Sequence, residues 1–177
     1  MHFGNGFWIM RSNSHSLDNK HHWRTYLKFG FLVSIGYLLT MIFFLSQHEF
    51  QMIWVLYLGN GLFLFSVFLL IYVLNRRDYF GASKVSSAIA GHLISLAGAA
   101  LSVLISVLLY VLFVTDWFQG HHSEALLNAA PAMGPNRSAD LLAVILMNSS
   151  ICNTISGFFA ATLTSFIANR HQDPDVS

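Results

Sequence analysis

The chain reads as an all-α polytopic membrane protein, with four transmembrane helices in an antiparallel bundle. Three observations point there. Of 177 residues, 55% are apolar and 10% charged, whereas an average soluble domain is about 25% charged. Four long stretches contain no Asp, Glu, Lys or Arg, and each approaches the roughly 20 apolar residues that carry a helix across the hydrocarbon layer. Sixteen Phe are tolerated on a lipid-facing surface, where a water-exposed surface would aggregate. Strands are excluded because a membrane barrel needs short segments of alternating polarity, and these runs are apolar on most faces.

The spans follow in order. Residues 1–28 form a polar N-terminal tail with interspersed aromatics, expected to be disordered or surface-bound; within it Met10 offers an alternative initiator. The first span runs over 29–46. It is longer than the apolar region of a signal peptide, and Gln47-His48-Glu49-Phe50 supplies no small-residue cleavage site, so it is retained. The second covers 52–74. The third covers 85–114, with Ser83 placed to cap it. At 1.5 Å per residue its 30 residues reach about 45 Å, so it tilts or projects beyond the hydrocarbon. The fourth covers 141–168, and 169–177 form a C-terminal tail. Between the third and fourth lies the longest loop, 115–140, in which His121 to Ala130 is expected to make a short interfacial helix broken by Pro131, Gly134 and Pro135.

Orientation follows from charge. Arg11, Lys20, Arg24, Lys28, Arg76, Arg77, Lys84 and Arg170 fall on one side of an alternating chain, and Arg137 alone falls on the other. The positive-inside rule therefore places both termini in the cytoplasm of a bacterial inner membrane. Trp23 and Tyr26, Trp54 and Tyr57, Tyr79 and Phe80, and Trp117 and Phe118 lie where interfacial aromatics belong.

The first two spans are bulky and are expected to face lipid over much of their surface. The third carries a ridge of small residues, Ser87, Gly91, Ser95, Gly98, Ser102 and Ser106, whose steps of three and four hold them on one helical stripe. Ser149, Asn153, Ser156, Ala160 and Thr164 make a matching line on the fourth. Such lines let backbones approach closely, which predicts that the third and fourth spans pack together as the heart of the bundle.

Polar groups inside the spans are few. His92 lies in the third, and an ionisable group at that depth is a candidate for proton relay or haem ligation. Asn148, Ser149 and Asn153 of the fourth are candidates for lining a solute path or bonding between helices. On the outer side, His48, His121, His122 and Glu124 offer zinc-type ligands. Adjacent histidines on a helix diverge by about 100°, so the pair chelates poorly. Asn136-Arg137-Ser138 has the pattern of a glycosylation sequon. The single cysteine, Cys152, excludes an internal disulfide and a cysteine metal cluster. No Gly-rich phosphate loop, zinc-helix motif or Ser-His-Asp set is present. A net charge of +1 leaves no field for nucleic acid.

The run Asn75-Arg76-Arg77-Asp78-Tyr79-Phe80-Gly81-Ala82-Ser83-Lys84, followed by the Gly91 to Gly98 stretch, resembles a group of uncharacterised four-span bacterial membrane proteins. The likeness covers most of the chain from the first span onward, implies the same four-span fold, and brings no site residues with it. The expected function is a non-enzymatic subunit or accessory factor of a membrane complex, without a cofactor, its partners being the bilayer and itself or other membrane proteins. Two alternatives stand beside it: a small oligomeric transporter or channel with a polar path near Asn153 and His92, and a haem- or metal-binding membrane protein.

Overall fold

A chain this apolar must satisfy every backbone group internally where no water reaches, and helices do this within each segment. The computed structural model describes residues 19–47, 49–76, 84–114, 124–133 and 137–169, with no strand among them. Helix α1 is Asn19–Gln47, and a 3₁₀ turn, Phe50–Ile53, leads into α2, Trp54–Arg76. Helix α3 is Lys84–Val114, α4 is the short Glu124–Ala129, and α5 is Arg137–Met147. A π-helical turn, Asn148–Cys152, joins α5 to α6, Asn153–Asn169. Four segments are long and apolar enough to cross a membrane: Trp23–Gln47, Phe50–Arg76, Ser87–Val114 and Ser138–Ile167. The last is a single span built from α5, the π turn and α6.

The ends differ from the apolar runs in physical ways. Helix α1 begins at Asn19, ten residues before the apolar run, so the chain is already helical through Trp23 and Lys28. The short helix α4 stops before Pro131, which cannot continue it. The Ser83 cap, His48, His121 and His122, the outer aromatics Trp117 and Phe118, and most of the sequon lie outside the described residues.

Around the bundle, α1 stands between α2 and α3, and the fourth span closes the square between the same two helices. Consecutive spans run antiparallel, but the neighbours α1 and α3 run the same way. Gly30 meets Ala97 and Gly98, and Tyr37 seven residues on lies near Ser106. On the antiparallel α3–α6 seam, Gly91 faces Ala161 and Ser95 faces Gly157.

Small residues set these approaches. A Cβ on Gly98 would lie 2.8 Å from Val33 Cγ2, 3.0 Å from Phe63 Cε2 and 3.1 Å from the Gly30 carbonyl oxygen. One on Gly157 would lie 2.7 Å from Ser95 Cβ and 3.0 Å from Phe63 Cε1. The fully buried Phe63 ring of α2 thus occupies a notch that Gly98 and Gly157 leave open. In a bilayer, where lipid tails are as apolar as the side chains, this contact area is the main source of helix association.

The first span is more central than its bulk suggests. Half of its apolar window, 50%, is buried, against 39% for the third and 33% for the second and fourth. The expectation of a peripheral first helix and a heart confined to the third and fourth spans is therefore corrected. Gly30, Ser34 and Gly36 let neighbours close in, and Tyr37, Met41, Phe44 and Leu45 turn inward. The α3 ridge is buried, and Gly98 within it serves α1 and α2 as well as the fourth span.

At the end of the bundle where α3 gives way to the fourth span, the Tyr110 hydroxyl donates to the Ser138 carbonyl at 2.7 Å, and Asp140 accepts from the Met133 backbone N–H at 3.0 Å. Leu126, Ala130 and Leu141 are buried beneath this cap.

Candidate functional site: a polar layer inside the bundle

A hydroxyl or amide in hydrocarbon needs a partner, and its own helix offers the nearest carbonyl. Several hydroxyls here take it. Ser34 donates to Phe31, Thr40 to Tyr37, Thr164 to Ala160 and Ser165 to Ala161, at 2.6–2.8 Å. The exceptions mark the site.

In the fourth span the sequence Asn148-Ser149-Ser150 places three competing side chains in succession. The Ser149 and Ser150 hydroxyls both donate to the Leu146 carbonyl, at 3.3 and 2.5 Å. Side chains that engage this ladder perturb it, and here the helix widens into the π turn. The widening has a structural consequence. On a regular helix, residues five apart point about 140° away from each other at about 100° per residue. A turn closed by i→i+5 bonds stacks them instead. Asn148 and Asn153 therefore share the inward face, at 6% and 0% exposure.

Asn148 reaches the bundle axis. Its Oδ1 accepts from the Tyr37 hydroxyl of α1 at 3.1 Å and from Asn60 Nδ2 of α2 at 3.3 Å. The Ser106 and Ser149 side chains lie close to the same Tyr37 hydroxyl. One carboxamide oxygen thus ties three spans, including the diagonal pair α1 and the fourth. Tyr37 and Asn60 were not legible as site residues from composition alone, although an Asn inside an apolar span is itself a signal.

Asn153, one turn deeper, behaves differently. Among the described residues, neither atom of its carboxamide has a hydrogen-bond partner, and the same holds for the buried hydroxyls of Ser95 and Ser102 and for Asn60 Oδ1. Ser95 and Ser102 lie on the buried face of α3 and Asn153 on the fourth span packed against it, with Asn60 on α2.

His92 is apart from these groups. Its Nδ1 lies 2.6 Å from the Ala88 carbonyl of its own helix, and Nε2 lies 3.4 Å from the Thr162 hydroxyl. Its ring meets Phe158 edge-on at 4.7 Å. Both nitrogens are engaged on the α3–α6 surface seam, and the structure does not bring His92 to Asn153, Asn148 or Ser149. Of the fourth-span line, Ser149, Asn153, Ala160 and Thr164 are buried, while Ser156 is half-buried and the adjacent Gly157 makes the close contact. At the opposite end of the bundle from Tyr110, Ser87 bonds Asn75. Among the described residues, no three His, Cys, Asp or Glu converge as metal ligands.

The fold and the inward-facing polar layer define a multi-pass α-helical membrane protein. No protein-family model, curated protein or solved structure matches the chain.

Proposed function

We propose that this protein is a non-enzymatic subunit or accessory factor of a bacterial inner-membrane complex, with both termini cytoplasmic. The observation that carries the reading is where the polar groups go. Tyr37, Asn60 and Asn148 bond one another across three helices, and His92 bonds its own backbone and Thr162. Groups used in this way hold a fixed four-span body together. Its outer surface offers apolar side chains such as Phe31, Phe65, Phe159 and Phe166 to lipid or to other spans. The charge distribution of the loops supports the orientation, and the resemblance to four-span bacterial proteins supports the compartment.

A second reading, a small oligomeric transporter or channel, is favoured by Asn153, Ser95 and Ser102, buried without a hydrogen-bond partner among the described residues. Unpaired polar groups at that depth are characteristic of solute paths.

Extraction from native membranes in mild detergent separates the two. The subunit reading expects the full chain to co-purify with a second membrane protein in fixed proportion. Recovery as a homo-oligomer that makes proteoliposomes permeable to a small polar solute contradicts it and supports the second.

A further inference from the structure

We infer that the exposed face of α1 around Arg24 and Lys28 binds the phosphate group of an anionic phospholipid, whose chains lie along the apolar part of the same face. The face is one stripe. Arg24, Lys28, Phe31 and Ile35 follow steps of four, three and four, which keep them within about 60° of one another on a regular helix. All four side chains are exposed. Two cations thus stand at the head of an apolar track, the layout of a lipid with one charged end.

Register sets their depth. Gly30 of α1 packs on Ala97 and Gly98 of α3, and the two helices run the same way. Lys28 therefore stands level with Ser95 and Leu96, and Arg24 level with Gly91 and His92. Both levels fall inside the Ser87–Val114 span. The exposed α3 side chains there are Leu93 and Leu96, at 39% and 51%, while His92 turns to Phe158 and Thr162 of the fourth span. Cations level with lipid-facing leucines are costly unless their apolar stems carry the charge to the phosphate layer. Trp23, the exposed neighbour of Arg24, is the kind of ring that anchors at that layer.

The counter-charge must come from elsewhere. Among the described residues the acids are Glu49, Glu124 and Asp140, and all three stand at the opposite end of the bundle. No described carboxylate is therefore within reach of Arg24 or Lys28. A phosphodiester without a balancing ammonium carries the net negative charge that two cations one turn apart select. The inference holds whichever side of the membrane this end faces, and whether the protein is a subunit or a transporter.

Lipid titration of the full chain in dodecyl maltoside tests it, with the unfolding temperature as the readout. Dioleoyl phosphatidylglycerol and dioleoyl phosphatidylcholine share their chains and differ in net charge. The first should bind roughly thirtyfold more tightly, as expected for two cations at the phosphate layer. Arg24→Gln or Lys28→Gln alone should cut that preference roughly fivefold, and the double change should leave about threefold or less. Arg24→Lys combined with Lys28→Arg should keep it. So should Arg76→Gln, which removes an exposed cation from the end of α2 where Tyr72, not a second cation, lies one turn further in. The preference is a ratio within each variant, so a change in lipid-free stability cancels. Equal binding of the two lipids by the wild-type chain, or an equal loss in Arg76→Gln, overturns the proposal. So does stabilisation by sodium phosphate to the extent seen with phosphatidylglycerol, which would make the face a site for soluble anions.

Discussion

Replacing Gly98 with Ala should destabilise the bundle by about 2–3 kcal/mol, the range expected when a methyl is forced into a closed contact. Its Cβ would lie 2.8 Å from Val33 and 3.1 Å from the Gly30 carbonyl oxygen. The first neighbour is the methyl of a stiff β-branched side chain, and the second is backbone, so neither can swing aside cheaply. The Phe63 ring, 3.0 Å away, is itself confined by Gly157. Gly98→Leu should yield no folded protein. Gly61 is the matched control, since a Cβ there meets nothing within 4 Å. Gly61→Ala should be neutral or stabilising by up to about 1 kcal/mol, because alanine loses less backbone entropy in a helix. Denaturant titration in mixed micelles reads all three variants. Equal stability of Gly98→Ala and Gly61→Ala would show that α1 and α3 do not approach through this notch.

The two inward asparagines should respond in opposite ways, although they lie one turn apart on one face. Asn148→Leu strips the acceptor from the Tyr37 hydroxyl and from Asn60 Nδ2. An average interhelical bond in a membrane contributes only about 0.6 kcal/mol, but here two buried donors lose their partner together, at about 1–3 kcal/mol each. The expected loss is about 2–4 kcal/mol. Asn153 bonds to no group among the described residues at 0% exposure, so Asn153→Leu removes an uncompensated amide and should be neutral or stabilising by about 1 kcal/mol. The same unfolding titration decides it. A loss at Asn153 as large as that at Asn148 would contradict the expectation, and would favour the solute-path reading by indicating that the carboxamide is engaged in the native membrane.

Much of the architecture is legible in the chain because hydrocarbon leaves so few options. Uncharged runs longer than the bilayer is thick must be helices, and the four runs are the four spans. The α3 ridge is legible too, since its three- and four-residue steps survive on a regular helix. Most of the fourth-span line is legible in the same way: Ser149, Asn153, Ala160 and Thr164 are buried. The exception is Ser156, half-buried beside Gly157, which makes the close contact with Ser95. What the spacing does not show is the π turn at Asn148–Cys152, which brings Asn148 onto the inward face with Asn153. The cue lies in Asn148-Ser149-Ser150, three residues that compete for backbone hydrogen bonds in one helical turn. Tyr37 was obscured for a different reason. An aromatic hydroxyl in a membrane segment reads as an interfacial anchor, yet Tyr37 is ten residues from the Gln47 end of its helix, too deep for headgroups. Partners this distant in sequence, 88 and 111 residues apart, leave no periodic trace. Small residues that face the core and small residues that face lipid also look alike until the neighbours are placed, and so the central position of the first span emerged only from packing.

Four crossings with both termini cytoplasmic, as proposed above, are tested most directly by loop accessibility. In a Cys152→Ala background, single cysteines at Glu49, Asp78, Met133 and Asp173 are labelled in intact cells with a membrane-impermeant maleimide, then again after permeabilisation. Glu49 and Met133 should label in intact cells, and Asp78 and Asp173 only once the membrane is opened. Labelling of Asp78 from outside, or protection of Met133, would contradict both the number of crossings and their direction.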